Sequence, residues 1–396
     1  MTLHDLSRDW DVVVVGAGVA GSVTAYRLAR RGFSVLLVEK SAWPRAKVCG
    51  GCLNAASLQA LHEAGLEDVV SSVPVYSQLR LASGKRQAVL ELPVGRALSR
   101  RILDARLVEH AIDAGTCFLP ETHAVLENTQ DADADAKAFS REWRPVVLAN
   151  GTDRVTLKAR LVIGADGLGS RLLHGDSPKV MHVDVDKTSR IGLGTTLDNA
   201  PDFYHPGTIH MACGRHGYVG LVRVEEGRLS VGAALDPAWV KQCGGASFAV
   251  AQLLQTSGFA LFDSLYEANW QGTPRMKRSH PCLGGERLLL VGDAAGYVEP
   301  FTGEGMGWAL ASAAAVEPLA LDAIQQWQPG LVRQWTARHA RIIGKRQRTC
   351  RRVSVLLRHP RLMATLLPLV NAVPTLAAPL TIGLNRRYRF SSKERK

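Results

Sequence analysis

Residues 11–40 read DVVVVGAGVAGSVTAYRLARRGFSVLLVEK, and the fold turns on this stretch. Residues 11–15 are a continuous apolar, β-branched run, the pattern of a buried strand. Gly16-Ala17-Gly18-Val19-Ala20-Gly21 follows at once, and residues 23–32 (VTAYRLARRG) carry apolar side chains at helical spacing, closed by Gly32 as a C-terminal cap. Residues 33–38 (FSVLLV) give a second buried strand ending at Glu39, which completes a βαβ unit. A GxGxxG alone is weak, because glycine-rich turns are common; here the strand, the helix and the terminal acid stand at the distances of a dinucleotide site. The glycines let the backbone approach a pyrophosphate at the helix N-terminus, and the Glu39 carboxylate accepts hydrogen bonds from a ribose diol. Arg45 and Lys47 do not imply a 2′-phosphate, which Glu39 would repel.

At 396 residues, with 46% hydrophobic and 21% charged side chains, the chain can bury one large or two ordinary cores. Seven scattered cysteines and no apolar signal stretch after MTLHDLSRDW predict a reducing, cytoplasmic setting with mostly free thiols. The net charge of +12 is a property of the tail: from Arg333 onward 16 Lys and Arg face the single acid Glu394. The tail also holds an uncharged run of 23 residues, 362–384, with Arg358 and Arg361 before it and Arg386, Arg387 and Arg389 after it. Pro368, Pro374 and Pro379 interrupt the run and Asn371 sits near its middle, so it does not read as a membrane span. Open readings are short helices packed on the protein's own core, peripheral contact with an anionic membrane, or an acidic partner; nucleic acid is not expected.

Two more stretches put turns after buried strands. Residues 161–171 (LVIGADGLGSR) lead into Asp166-Gly167, and residues 287–310 (RLLLVGDAAGYVEPFTGEGMGWAL) place Gly292-Asp293 after a strand and Gly303-Glu304-Gly305 at the start of an Ala-rich helix. Residues 73–98 and 178–275 contain alternating stretches such as TIHMACG, YVGLVRV and RLSVGAAL, which read as antiparallel strands of an inserted sheet. DADADAK at 131–137 reads as an acidic surface loop without the glycine of a calcium loop.

The βαβ unit, the ADG motif and the GD motif, in that order, resemble the FAD-dependent oxidoreductases of the p-hydroxybenzoate hydroxylase fold. Within them, CGG after the first unit and GDAAGYVEPFTGEG resemble the geranylgeranyl reductase group. The likeness spans about residues 8–315. It implies an α/β fold: a Rossmann-like FAD-binding domain of glutathione reductase type from residues 1–72, 99–177 and 276–330, a substrate-binding antiparallel β-sheet domain from 73–98 and 178–275, and a basic, apolar C-terminal helical region over 331–396. By the same resemblance Gly16, Gly18, Gly21 and Glu39 hold the ADP half of FAD, and Arg100 in SRRILDARL faces its phosphates. The backbone around Ala124 is expected beside the adenine, Asp166 in support of the cofactor, and Asp293 at the ribityl or phosphate region. Gly303, Glu304 and Gly305 would present free N–H groups and a positive helix end to the flavin pyrimidine ring.

Residues 46–54, AKVCGGCLN, pose a separate question. A metal site would need two more ligands at compact spacing, and Cys117, Cys213, Cys243, Cys282 and Cys350 are isolated from one another, so none is expected. A flavin disulfide reductase would need a second nucleotide fold, and no second GxGxxG follows a strand. By the resemblance, Cys49 and Gly50 lie in the loop over the flavin face, where a thiol meets a substrate double bond. Cys52 is an addition in this sequence and its expected active-site neighbour; the alternative is that both are small buried residues. His210, His216 and His280 are candidate proton donors without a motif, and Tyr204, Tyr218 and Trp270 are candidate pocket walls.

The resemblance implies hydride transfer from reduced flavin to a carbon–carbon double bond of a hydrophobic isoprenoid or long-chain substrate. NAD(P)H binding transiently, or ferredoxin, would supply the electrons. The alternative is flavin-dependent monooxygenation or dehydrogenation of an aromatic or polyketide-like lipid. Hydroxylases of the fold usually carry His after GDAA, where this chain has Gly296, and halogenases a W-x-W-x-I-P stretch, whereas no two of its eight Trp stand two positions apart. A non-catalytic flavoprotein is the third class.

Overall fold

The computed structural model describes residues 3–126, 142–175, 183–299, 301, 303–356 and 359–388; the 131–137 loop, Arg358 and Arg389 lie outside them. Strand β1 (Asp9–Val15), helix α1 (Val19–Ala29) and strand β2 (Val35–Val38) form the expected βαβ unit. β1 lies at the centre of a parallel sheet ordered Leu288–Leu290, Asp153–Gly164, β1, β2, Cys117–Leu119. Val12, Val13 and Val14 have no exposed surface, because strands flank them and helices cover the faces. α1 packs between the helices Arg100–Asp113 and Gly305–Gln325. The first half of Asp153–Gly164 pairs instead with Arg144–Asn150, which pairs with His123–Leu126, in an antiparallel meander.

A second sheet is ordered Gln271–Arg275, Ile191–Leu197, Leu229–Leu235, Gly217–Arg223, Thr208–Gly214, Val75–Ser83, Arg86–Ala97, Cys52–Leu53. Its pairings are antiparallel except that Thr208–Gly214 runs parallel to Val75–Ser83. This is the seam between the two segments that sequence assigns to the sheet. Strands so far apart in the chain are not joined by a hairpin, so period-two alternation marks them as strands without fixing their direction. At the far edge Cys52 opposes Ala97 and Leu53 opposes Arg96, which fastens the cysteine loop to this sheet.

The tail forms helices Gly330–His339, Lys345–Leu356, Pro360–Ala372 and Ala378–Leu384. The apolar run 362–384 breaks at Val373, ahead of Pro374, and Met363 and Leu367 pack into the cluster around Tyr76, Met211 and Tyr218. Among the described residues one helix, Gly305–Gln325, is long and apolar enough to cross a membrane; its apolar window is 78% buried in the protein, which makes it a core helix. Trp335 ties the tail to the parallel sheet: it is fully buried and its Nε1–H donates to Leu290 O at 2.8 Å. Trp335→Ala is expected to cost about 3–5 kcal/mol through the cavity and the lost bond, read as a lower urea midpoint at unchanged slope.

Candidate active site

The turn after β1 is shaped by steric limits. Gly16 has φ +106°, and a Cβ on Gly21 would stand 1.9 Å from Gly16 O, so neither position admits a side chain while α1 stays this close to the strand. The three atoms nearest a Cβ on Gly18 would all belong to cations: Arg100 Nη2 at 3.4 Å, Arg45 Nη2 at 3.7 Å and Lys47 Nζ at 3.9 Å. The first turn of α1 has no acid and no side-chain cap, so its N–H groups and these cations face the same space.

A buried network aims the cations. Asp104 has no exposed surface and accepts from Arg100 Nε and Nη2 at 2.8 and 2.7 Å and from Arg45 Nη1 at 3.0 Å. Arg45 Nε also donates to Glu39 Oε2 at 3.0 Å, while Ser41 and Ala17 N–H donate to the same carboxylate. Burial alone would raise the Glu39 pKa, but Arg45 and the two N–H groups hold it below the usual carboxylate range. Glu39 is therefore an anion at the end of β2, as a ribose-binding acid must be. Lys47 Nζ lies 3.9 Å from Asp293 Oδ2, and burial together with Arg100 pulls its pKa below that of an ordinary lysine. Burial raises the Asp166 pKa against the opposing pull of hydrogen bonds from the Ser170 side chain and the Arg171 backbone.

The cysteine loop lies against the second sheet on a track of glycines. Cβ atoms on Gly194 and Gly232 would stand 3.2 Å from Val48 Cγ1 and 3.0 Å from Gly50 Cα. Cys49 and Cys52 are free thiols, both half-buried. Gly51 N–H points to Cys49 Sγ at 3.4 Å, and Cys52 Sγ–H to Gly50 O at 3.5 Å. Burial raises the Cys52 pKa, so this thiol stays protonated.

At the start of helix Gly305–Gln325, Glu304 is fully buried. A carboxylate there works against an anion placed at the helix end; Arg346 from the tail compensates it, with Nη1 3.5 Å from Glu304 Oε1. Arg346 also stacks 4.0 Å from the Tyr388 ring centroid and donates to the carbonyls of Arg386 and Arg387. The last described residues are thereby clasped to the glycine-rich helix start.

A single cavity of about 610 Å³ joins these parts. Gly18, Cys49, Gly50, Cys52, Arg100, Asp293, Gly303 and Gly305 line it, whereas Gly16, Gly21, Glu39, Asp166, Glu304 and Ala124 on His123–Leu126 do not. Of the other candidates only Tyr218 lines it. Tyr204 and His210 pack against each other beneath the second sheet, where burial lowers the His210 pKa to about 4; His216 pairs with Asp236. Sequence reasoning passed over Lys47 as a site residue, Tyr76, Tyr297, Arg346 and the glycines 192, 194 and 232, although IGLG and SVG at period two signal a strand face stripped of side chains.

Residues 9–204 match the FAD binding domain family. Digeranylgeranylglycerophospholipid reductase 2 of Methanopyrus kandleri is 30% identical over 337 residues, covering 80% of this chain and 78% of the relative. The chain belongs to the geranylgeranyl reductase group of FAD-dependent oxidoreductases. Menaquinone reductase of Mycobacterium tuberculosis is 27% identical to this chain, covering 91% of it and 86% of the relative. The p-nitrophenol 4-monooxygenase of Pseudomonas putida shares the fold at a TM-score of 0.76 and 15% identity, covering 97% of this chain and 100% of that one. FAD fits the residues present: the cations over Gly18 suit its diphosphate and Glu39 its ribose. Lys47→Met is expected to weaken FAD binding about tenfold, measured by quenching of flavin fluorescence. Arg346→Met removes the cation beside Glu304 and is expected to lower the flavin midpoint potential by roughly 30 mV, measured by dye-coupled titration.

Proposed function

We propose that this reductase-group enzyme saturates a carbon–carbon double bond of a hydrophobic isoprenoid or long-chain substrate. The observation that carries the reading is the division of the cavity. Its charged lining groups, Lys47, Arg100 and Asp293, belong to the cofactor end, and the remainder is walled by side chains such as Leu79, Leu81, Ile209, Met211 and Leu367. Such a chamber takes an uncharged apolar body, because a charged one would be buried without a partner.

Glu39, Arg100 and Lys47 would hold FAD, which, reduced by transient NAD(P)H or a ferredoxin-class donor, would supply the hydride equivalent that one alkene carbon needs. The other carbon must then gain a proton for the bond to become saturated. Tyr76 and Tyr297 line the cavity, and burial pushes both phenols well above their ordinary range, so both carry an O–H at neutral pH. The Cys49 thiol shares this wall, and the glycine track fixes the loop that carries it.

The direct test is anaerobic photoreduction followed by detergent-dispersed geranylgeraniol. Return of the oxidised flavin absorbance without oxygen is the expected result; reoxidation by oxygen alone, with an oxygenated product from an aromatic lipid, would establish the monooxygenase alternative. Cys49→Ala is expected to retain FAD and to slow alkene-driven reoxidation at least tenfold more than Cys52→Ala does. Equal, near-wild-type rates in both would remove the thiols from the chemistry.

A further inference from the structure

The tail helix Pro360–Ala372 is apolar on more than the side it buries. Met363, Leu366, Leu367 and Val370 recur at helical spacing and line the cavity, with Met363 and Leu367 only 3% and 2% exposed. On the adjoining face Leu362, Leu369 and Val373 also recur at helical spacing, yet are 47%, 50% and 42% exposed. Leu376, 52% exposed, follows past the break. Val355 and Leu356, at the end of the preceding helix, are 51% and 38% exposed. A helix that is apolar nearly all round is stable only where most of it is covered, so this face calls for an occupant.

Charge says which occupant. No Asp or Glu occurs between Arg333 and Tyr388, while Arg348, Arg351, Arg352, Arg386 and Arg387 are exposed along the same helices and the segment after them. A second copy in two-fold contact would set these arginines against their own kind. A surface with an apolar interior and anionic headgroups matches both properties. Leu356 and Leu376 are at once exposed and part of the cavity wall, so the exposed face and the chamber meet at their side chains.

We propose that this face rests on an anionic lipid bilayer and that the substrate passes from the bilayer into the cavity beside Leu356 and Leu376. The docking surface stands independently; the passage rests on the lipid-substrate reading above.

The test uses the full chain with FAD bound and flotation on vesicles of phosphatidylcholine, with and without phosphatidylglycerol. The wild type is expected to float only with phosphatidylglycerol present, and added salt is expected to release it. Leu362→Ser/Leu369→Ser and, separately, Arg351→Gln/Arg352→Gln are each expected to lower the bound fraction about tenfold. Both are expected to keep wild-type FAD content and wild-type flavin reoxidation by detergent-dispersed geranylgeraniol. Equal flotation on neutral vesicles, or no loss in either folded variant, overturns the docking surface. So does a wild-type dimer, seen by sedimentation, that Leu362→Ser/Leu369→Ser dissociates. If flotation behaves as expected but geranylgeraniol does not reoxidise the flavin, the surface stands and the passage falls with the reductase reading.

Discussion

Asp104 is the carboxylate on which the cofactor end depends. With no exposed surface it would be prohibitive as a lone charge, and two guanidinium groups enclose it. That pairing fixes Arg100 and Arg45 in directions that converge on Gly18, and Arg45 in turn holds Glu39. A diphosphate and a ribose diol then meet groups already ordered, so little side-chain entropy is lost when they bind. The opposite end of the cavity follows the reverse rule, with apolar side chains setting its walls and glycines setting its depth.

The first sheet was legible because its code is local. Residues 11–40 give strand, turn, helix, strand and acid in one continuous stretch, and the parts form in that order, with α1 capped at Arg30 rather than Gly32 and β2 starting at Val35 rather than Phe33. The second sheet was legible as strands and less so as a topology, since the parallel seam between Thr208–Gly214 and Val75–Ser83 joins segments that no hairpin connects. The tail showed its apolar and basic character in composition alone. Which apolar faces it buries depended on contacts with the second sheet, which no helical period reveals.

At the site, residues whose role comes from their own backbone or position in a motif were the visible ones, such as Gly16, Gly21 and Asp293. Those that act through a distant partner were not. Arg346 is one of 16 cations after residue 332, and nothing in the sequence separates it from its solvated neighbours until Glu304 is found beside it. Asp104 is similar: it lies inside SRRILDARL, four residues from Arg100, where an ordinary surface helix pair would look the same. The glycines of the second sheet were visible as composition, but their purpose lies in the loop that rests on them.

The interleaving of the two sheets bears on how the chain is made. β1 is made long before its sheet is complete with Leu288–Leu290, and the second sheet is complete only with Gln271–Arg275. At about 5–20 residues per second, the Val162–Gly164 end of Asp153–Gly164, which pairs with Leu288–Leu290, waits roughly 6–25 s for that partner. During that interval the edge of this strand stays unpaired and open to other nascent chains. The architecture that lets one cavity draw walls from both sheets and the tail thus leaves both sheets incomplete until strands far from β1 in the chain have been made.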